Sequence, residues 1–151
     1  MRPISKKLAF ALQAVVDIAY NAGAAPVLCK EITRRQRIPQ RYLEQVMQQL
    51  VRAGVLKGVR GPRGGYRLAR ERRRISLGDI ARVVSEVERD EGPAEALAES
   101  ELGLRVVHPV CQELKRDLMR RLDDITIEDL CQRARAEGVK SALHERLDYT
   151  I

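Results

Sequence analysis

The sequence predicts a mainly α-helical protein with one small β-hairpin and a long late helix that needs a partner. Three observations carry this expectation. Apolar residues recur at helical spacing through the first 53 positions. A Gly- and Pro-rich turn at residues 60–65 is flanked by strand-forming residues. An apolar residue then falls at every fourth position from Val110 to Leu122.

Hydrophobic residues make up 44% of the 151, enough for a core, and with one Phe, four Tyr and no Trp that core is aliphatic. No run of roughly 18 apolar residues exists, so no membrane span is expected. Basic residues before an apolar stretch at the N-terminus superficially suggest a signal peptide. Gln13 and Asp17 interrupt that stretch and no small-residue cleavage site follows, so an amphipathic first helix in a cytoplasmic protein is expected instead. Charge is uneven. Residues 1–80 hold 17 Lys and Arg against 5 Asp and Glu, or +12, whereas the remaining 71 hold 11 against 16, or −5. A basic front and an acidic back suit a polyanion-binding head with a non-binding tail. Cys29, Cys111 and Cys131 are odd in number and far apart, which is no disulfide framework and is read as reduced thiols.

Leu8, Leu12, Val15, Val16 and Ile18 place a first helix at residues 5–21, broken by residues 23–26. A short second helix over residues 29–36 turns Ile32 inward and Lys30, Arg34 and Arg35 outward. Ile38-Pro39 punctuates, and a third helix runs over residues 39–53 to Gly54, with Pro39 at its start where a missing N–H loses nothing. Its inner stripe is Tyr42, Leu43, Val46, Met47, Leu50 and Val51, opposite Gln40, Arg41, Glu44, Gln45 and Gln48. Two helices so closely joined, the second polar at its start, form a helix-turn-helix. Residues 55–59 and 66–68 are strand-like, and a hairpin directly after a helix-turn-helix is a wing. Ser76 and Asp79 cap a fourth helix that packs Ile80, Val83, Val84 and Val87 inward. Residues 88–104 read as a flexible connector with a helical turn at 94–99. The long helix carries Val110, Leu114, Leu118 and Leu122, and a capping box at Thr126–Asp129 opens a last helix through Ala134. The expected organisation is a winged helix-turn-helix at 1–87, the connector at 88–104, and a dimerisation helix with a closing helical segment at 105–151.

Four segments in this order resemble the IscR/NsrR-type bacterial winged-helix regulators, a group that includes CymR. They are Arg2 with Ser5-Lys6, Tyr42-Leu43-Glu44-Gln45, the wing from Val59 to Leu68, and the segment from Leu122 to Leu130. The resemblance covers most of the chain. It implies a homodimeric transcription factor, expected here as a repressor, whose long helices cross and whose winged domains read two half-sites of a near-palindrome in double-stranded DNA. The Val110, Leu114, Leu118, Leu122 stripe reads independently as a face that needs a partner; packing inside its own subunit is the alternative.

In such an arrangement the start of the third helix enters the major groove. Gln pairs with adenine, Arg with guanine, and Glu accepts from cytosine, so Pro39, Gln40, Arg41, Glu44 and Gln45 are candidates, Arg41 first. Tyr42 has competing roles in the core or at a phosphate. Arg60 or Arg63 can enter a narrow minor groove, while Gly61, Pro62, Gly64, Gly65 and Tyr66 shape the wing and let backbone approach phosphate. Ser5, Lys6, Lys7, Arg34 and Arg37 are assigned to phosphates, setting affinity and register rather than sequence; a solvated charge is the alternative for each.

The resemblance also implies a sensor that the residues do not supply. Many members hold an iron–sulfur cluster through three closely spaced cysteines before the dimer helix, because soft thiolates hold such clusters. Residues 87–110 contain no cysteine here. Cys111 and His108 alone do not complete four ligands within one chain, so no metal or cofactor is expected; an iron–sulfur or thiol-based redox regulator using Cys111 and His108 is the alternative. An unknown effector, small molecule or protein, would then carry the signal. No enzyme-like constellation is visible, since the Gly-rich segment sits in a hairpin rather than between strand and helix. An RNA-binding module would need stacking aromatics that the chain lacks.

Overall fold

The computed structural model describes residues 4–23, 25–62, 64–91 and 100–142, with residues 87–91 described by backbone alone. Among the described residues the elements in order are α1 (Lys6–Tyr20), α2 (Cys29–Gln36), α3 (Gln40–Arg52), β1 (Leu56–Val59), β2 (Gly65–Leu68), a 3-10 turn (Arg72–Arg74), α4 (Leu77–Glu91), a π-type stretch (Gly103–Val107), α5 (His108–Asp124) and α6 (Ile127–Ala136).

Helix starts follow from local chemistry. Ser5 accepts from the Leu8 amide at 3.1 Å and satisfies one of the free donors of α1. Ser76 and Asp79 exchange side-chain-to-backbone bonds, both 3.0 Å, at the start of α4. Thr126 and Asp129 do the same at α6, at 3.1 and 2.9 Å. The α2–α3 turn depends on Arg37, whose left-handed backbone (φ 53°) ends α2, and on buried Ile38.

α1 is the central element. Its Leu8, Ala11, Val15 and Ile18 are buried, and it packs against α2, α3, α4, α6 and β2. Ile32, Leu43, Val46, Met47, Leu50, Leu56, Ile75 and Ile80 complete the same core. Burying each such side chain contributes on the order of 1.5–3 kcal/mol. Val51, read from the sequence as part of the inner stripe of α3, is instead exposed. The expected inward packing of Val87 falls on a side chain outside the described residues.

β1 and β2 are antiparallel, with Leu56 opposite Leu68 and Val59 opposite Gly65. Val27 adds a single antiparallel bridge to β2 through reciprocal bonds with Tyr66 of 3.0 and 2.8 Å, a pairing not apparent in the sequence.

Residues 88–104, expected as a connector, are helical at both ends. Residues 88–91 continue α4, and residues 101–124 run helically into α5. The turn expected at 94–99 lies outside the described residues. The last helices rejoin the front half: the Leu77 amide donates to Ile125 at 2.8 Å and Ile127 to Ile75 at 2.9 Å. Leu122, Ile127 and Cys131 lie in the common core, and Arg82 pairs with Asp123 at 2.7 Å. This changes the reading of the apolar stripe. Leu122 is buried and Leu118 half-buried within the same chain, whereas Val110 and Leu114 remain 48% and 62% exposed. Leu102, Leu104, Val106 and Val107 extend that open apolar surface towards the N-terminal end of the helix.

Candidate nucleic-acid interface

α3 buries Leu43, Val46, Met47 and Leu50 and exposes Gln40, Arg41, Glu44, Gln45 and Gln48. Its polar face is partly self-satisfied, because the Gln40 amide donates to Glu44 at 3.0 Å. Arg41 makes no ion pair or side-chain hydrogen bond with another described residue. Pro39 is exposed as the N-cap, and the first amides of α3 carry partial positive charge. Tyr42 is placed differently from the rest. It is half-buried, its hydroxyl donates to the Lys7 carbonyl at 2.6 Å, and its ring lies 6.0 Å from that of Phe10. It ties α3 to α1.

The wing tip is tight for steric reasons. Gly61 has φ of 112°, and the Gly64 amide donates to its carbonyl at 2.9 Å. A Cβ on Gly64 would stand 2.3 Å from the Val59 carbonyl oxygen, and one on Gly65 would stand 2.5 Å from that of Val27. Arg60, Gly61 and Pro62 are exposed at the tip, Gly64 is buried, and Arg63 lies outside the described residues. Half-buried Tyr66 faces the neighbourhood of Cys29 and Glu44, and burial, more than those charges, pushes its phenol above the ordinary range.

At the start of α1, Ser5 is engaged as the cap and Lys6 is exposed with its Nζ 5.6 Å above the Phe10 ring. Arg34 is exposed, but Arg35, expected to point outward beside it, does not. Its Nε and guanidinium nitrogen donate to the two oxygens of Asp17 at 2.9 and 2.8 Å, and Gln36 adds a third bond at 2.8 Å. This bidentate bond, with the nearby carboxylates of Asp17 and Glu31, holds the Arg35 guanidinium more firmly protonated than usual. The clue in the sequence is Asp17 itself: a carboxylate on the buried face of an apolar helix must find a partner.

The cysteines do not converge. Cys111 is exposed on α5, Cys29 is half-buried at the start of α2, and Cys131 is buried in α6. Burial pushes the Cys29 and Cys131 thiols up, against the opposing charge of Arg72 in the second case. His108 is half-buried at the start of α5. Among the described residues, no group of three or more His, Cys, Asp or Glu is placed to hold a metal ion.

A helix-turn-helix with an exposed polar recognition face, a glycine-shaped wing and a basic front half defines a winged-helix DNA-binding regulator. The family model described as Rrf2, iron-dependent transcriptional regulator, matches residues 4–133, and the chain belongs to this family. It is 34% identical over 128 residues to the HTH-type transcriptional regulator IscR of Vibrio atlanticus, across 84% of this chain and 73% of that protein. It is 35% identical over 134 residues to the HTH-type transcriptional regulator CymR of Bacillus subtilis, across 84% of this chain and 88% of that one. Among solved structures, T. potens IscR superposes with a TM-score of 0.70 at 34% identity, covering 93% of each chain. The relatives are regulators, and the chain is a transcriptional regulator rather than an enzyme.

The iron in the family description meets a poor ligand set here. A cluster needs several converging thiolates. The three cysteines of this chain sit on three different helices, one of them buried in the core, and residues 87–110 supply none. These residues do not fit a cluster held within one chain.

Proposed function

We propose that this regulator binds a near-palindromic operator as a homodimer and represses transcription, without a resident iron–sulfur cluster. The observation that carries this reading is the pairing of two open surfaces in one chain. One is the polar start of α3 together with the exposed wing tip; the other is the run of exposed apolar residues from Leu102 to Leu114. Exposed large apolar residues gathered along one helical segment mark an association site, and two-fold pairing through it would present two recognition helices to two half-sites. Arg41 and Arg60 read bases, and Lys6 and Arg34 hold phosphates.

The test is selection of bound sequences from random duplexes, followed by titration across salt. Neutralised phosphates release counterions, so affinity should fall by orders of magnitude from low to moderate salt. Equal binding to selected and random duplexes at ~0.15 M salt rejects sequence-specific regulation. Protein prepared without oxygen should bind the selected site with no stoichiometric iron or acid-labile sulfide.

A second reading is thiol control at Cys111, favoured by its exposure on α5 one turn beyond His108. Oxidant-dependent release from DNA that persists in Cys111→Ser excludes it.

A further inference from the structure

Between α1, α2 and α6 the surface closes into a cleft of about 730 Å³, within the size range of small-molecule sites. Its floor is apolar: Leu12 and Val16 come from α1, Leu130 and Ala134 from α6. Leu12, Val16 and Leu130 are half-buried against the core. Its charged lining is unbalanced. Asp17 is taken up by Arg35 and Gln36, and Glu31 is paired with Arg35 at 3.5 Å. Arg34 and Lys140 also line the cleft, are exposed, and make no ion pair or side-chain hydrogen bond with another described residue.

We propose that this cleft binds a small carboxylate with a short apolar body, its head between Arg34 and Lys140 and its body on Leu12, Val16, Leu130 and Ala134. Arg34, Arg35 and Lys140 stand against Asp17 and Glu31, so one anionic head balances the lining, and the apolar floor favours a tail over a second polar group. Occupancy opposes DNA binding. α2 is the first helix of the helix-turn-helix, and Arg34 belongs to the phosphate-holding set, so a bound carboxylate withdraws that guanidinium from DNA. This regulatory half rests on the proposed DNA-binding function; the binding half does not.

Octanoate is a suitable probe, measured by calorimetry on the full chain without DNA, with octanol as its neutral counterpart. One octanoate should bind per chain, with octanol weaker by about tenfold, the scale of one lost charged contact. Arg34→Ala with Lys140→Ala should abolish that preference, and Ala134→Trp should fill the floor and remove binding of both. The Ala134→Trp chain should keep the unliganded affinity for DNA and lose its response to octanoate. In the parent chain octanoate should lower DNA affinity about tenfold, with DNA lowering octanoate affinity by the same factor. Absent binding overturns the proposal, as does binding that persists in the Ala134→Trp chain with its native circular dichroism. Binding only in a chain ended after Ala142 also overturns it, since the final residues would then occupy the cleft. Failure of the unliganded protein to bind selected DNA refutes the function instead, leaving octanoate binding to stand or fall by itself.

Discussion

Asp17 is fully buried at its side chain, and the Arg35 guanidinium that neutralises it is only 23% exposed. Removing one partner of such a pair leaves the other uncompensated, at a cost of about 3 kcal/mol for a pair still partly open to water. Asp17→Ala should therefore lower stability by about that amount in urea unfolding, and a loss below ~0.5 kcal/mol, the range of ordinary surface substitutions, would show that the pair is dispensable. Base readout is a different kind of residue-level effect. Arg41→Ala and Arg60→Ala should each cost ~1–3 kcal/mol on the selected site and relax its sequence preference. Lys6→Ala should weaken all duplexes alike and flatten the salt slope; unchanged base preference in all three variants refutes this allocation. The thiols separate by environment. Because burial raises the Cys29 and Cys131 thiols while Cys111 is exposed, iodoacetamide should label Cys111 first in the native protein. Mass spectrometry showing Cys131 labelled at the same rate would contradict its burial.

The wing and the helix caps carry their own logic. Gly64 sits where any side chain would collide with two backbone oxygens, at 2.3 and 2.8 Å, neither of which can move without opening the turn. Gly64→Ala should cost ~1–3 kcal/mol, as overpacking does, and should weaken DNA binding beyond its effect on stability. Equal DNA affinity for the variant and parent would mean that the wing does not touch DNA. The two reciprocal caps, Ser76 with Asp79 and Thr126 with Asp129, were legible because their partners lie three residues apart. The Val27 rung on Tyr66 was not, because its partners are far apart in sequence and a single pairing leaves no periodic trace.

At the scale of the whole molecule, α5 divides its apolar residues between two tasks. Leu118 and Leu122 close the chain's own core, so charging Leu118 would confuse unfolding with dissociation. Leu114, 62% exposed, is the cleaner probe of association. Leu114→Glu should leave the circular dichroism native, halve the mass seen by light scattering, and reduce DNA affinity, because two linked half-sites bind more tightly than one. A wild-type chain that is monomeric at micromolar concentration and off DNA rejects the dimer.

By itself the sequence determined the local features: helix spans from apolar spacing, caps from Ser or Thr with Asp three residues on, the hairpin from its glycines, and a basic front from the placement of Lys and Arg. Each is written in residues close along the chain, where backbone geometry alone relates them. Only the tertiary structure decided which surface residues were already engaged. Arg35 reads as one more outward cation until Asp17 is found opposite it, and Tyr42 stays open between a core and a phosphate role until its hydroxyl meets the Lys7 carbonyl. The fourfold stripe of α5 likewise cannot say which of its residues face α4 and which face outward, because one helical face presents the same pattern to an internal neighbour as to a partner. Long-range packing sets those outcomes, since burial depends on which elements meet and not on the order in which residues are joined.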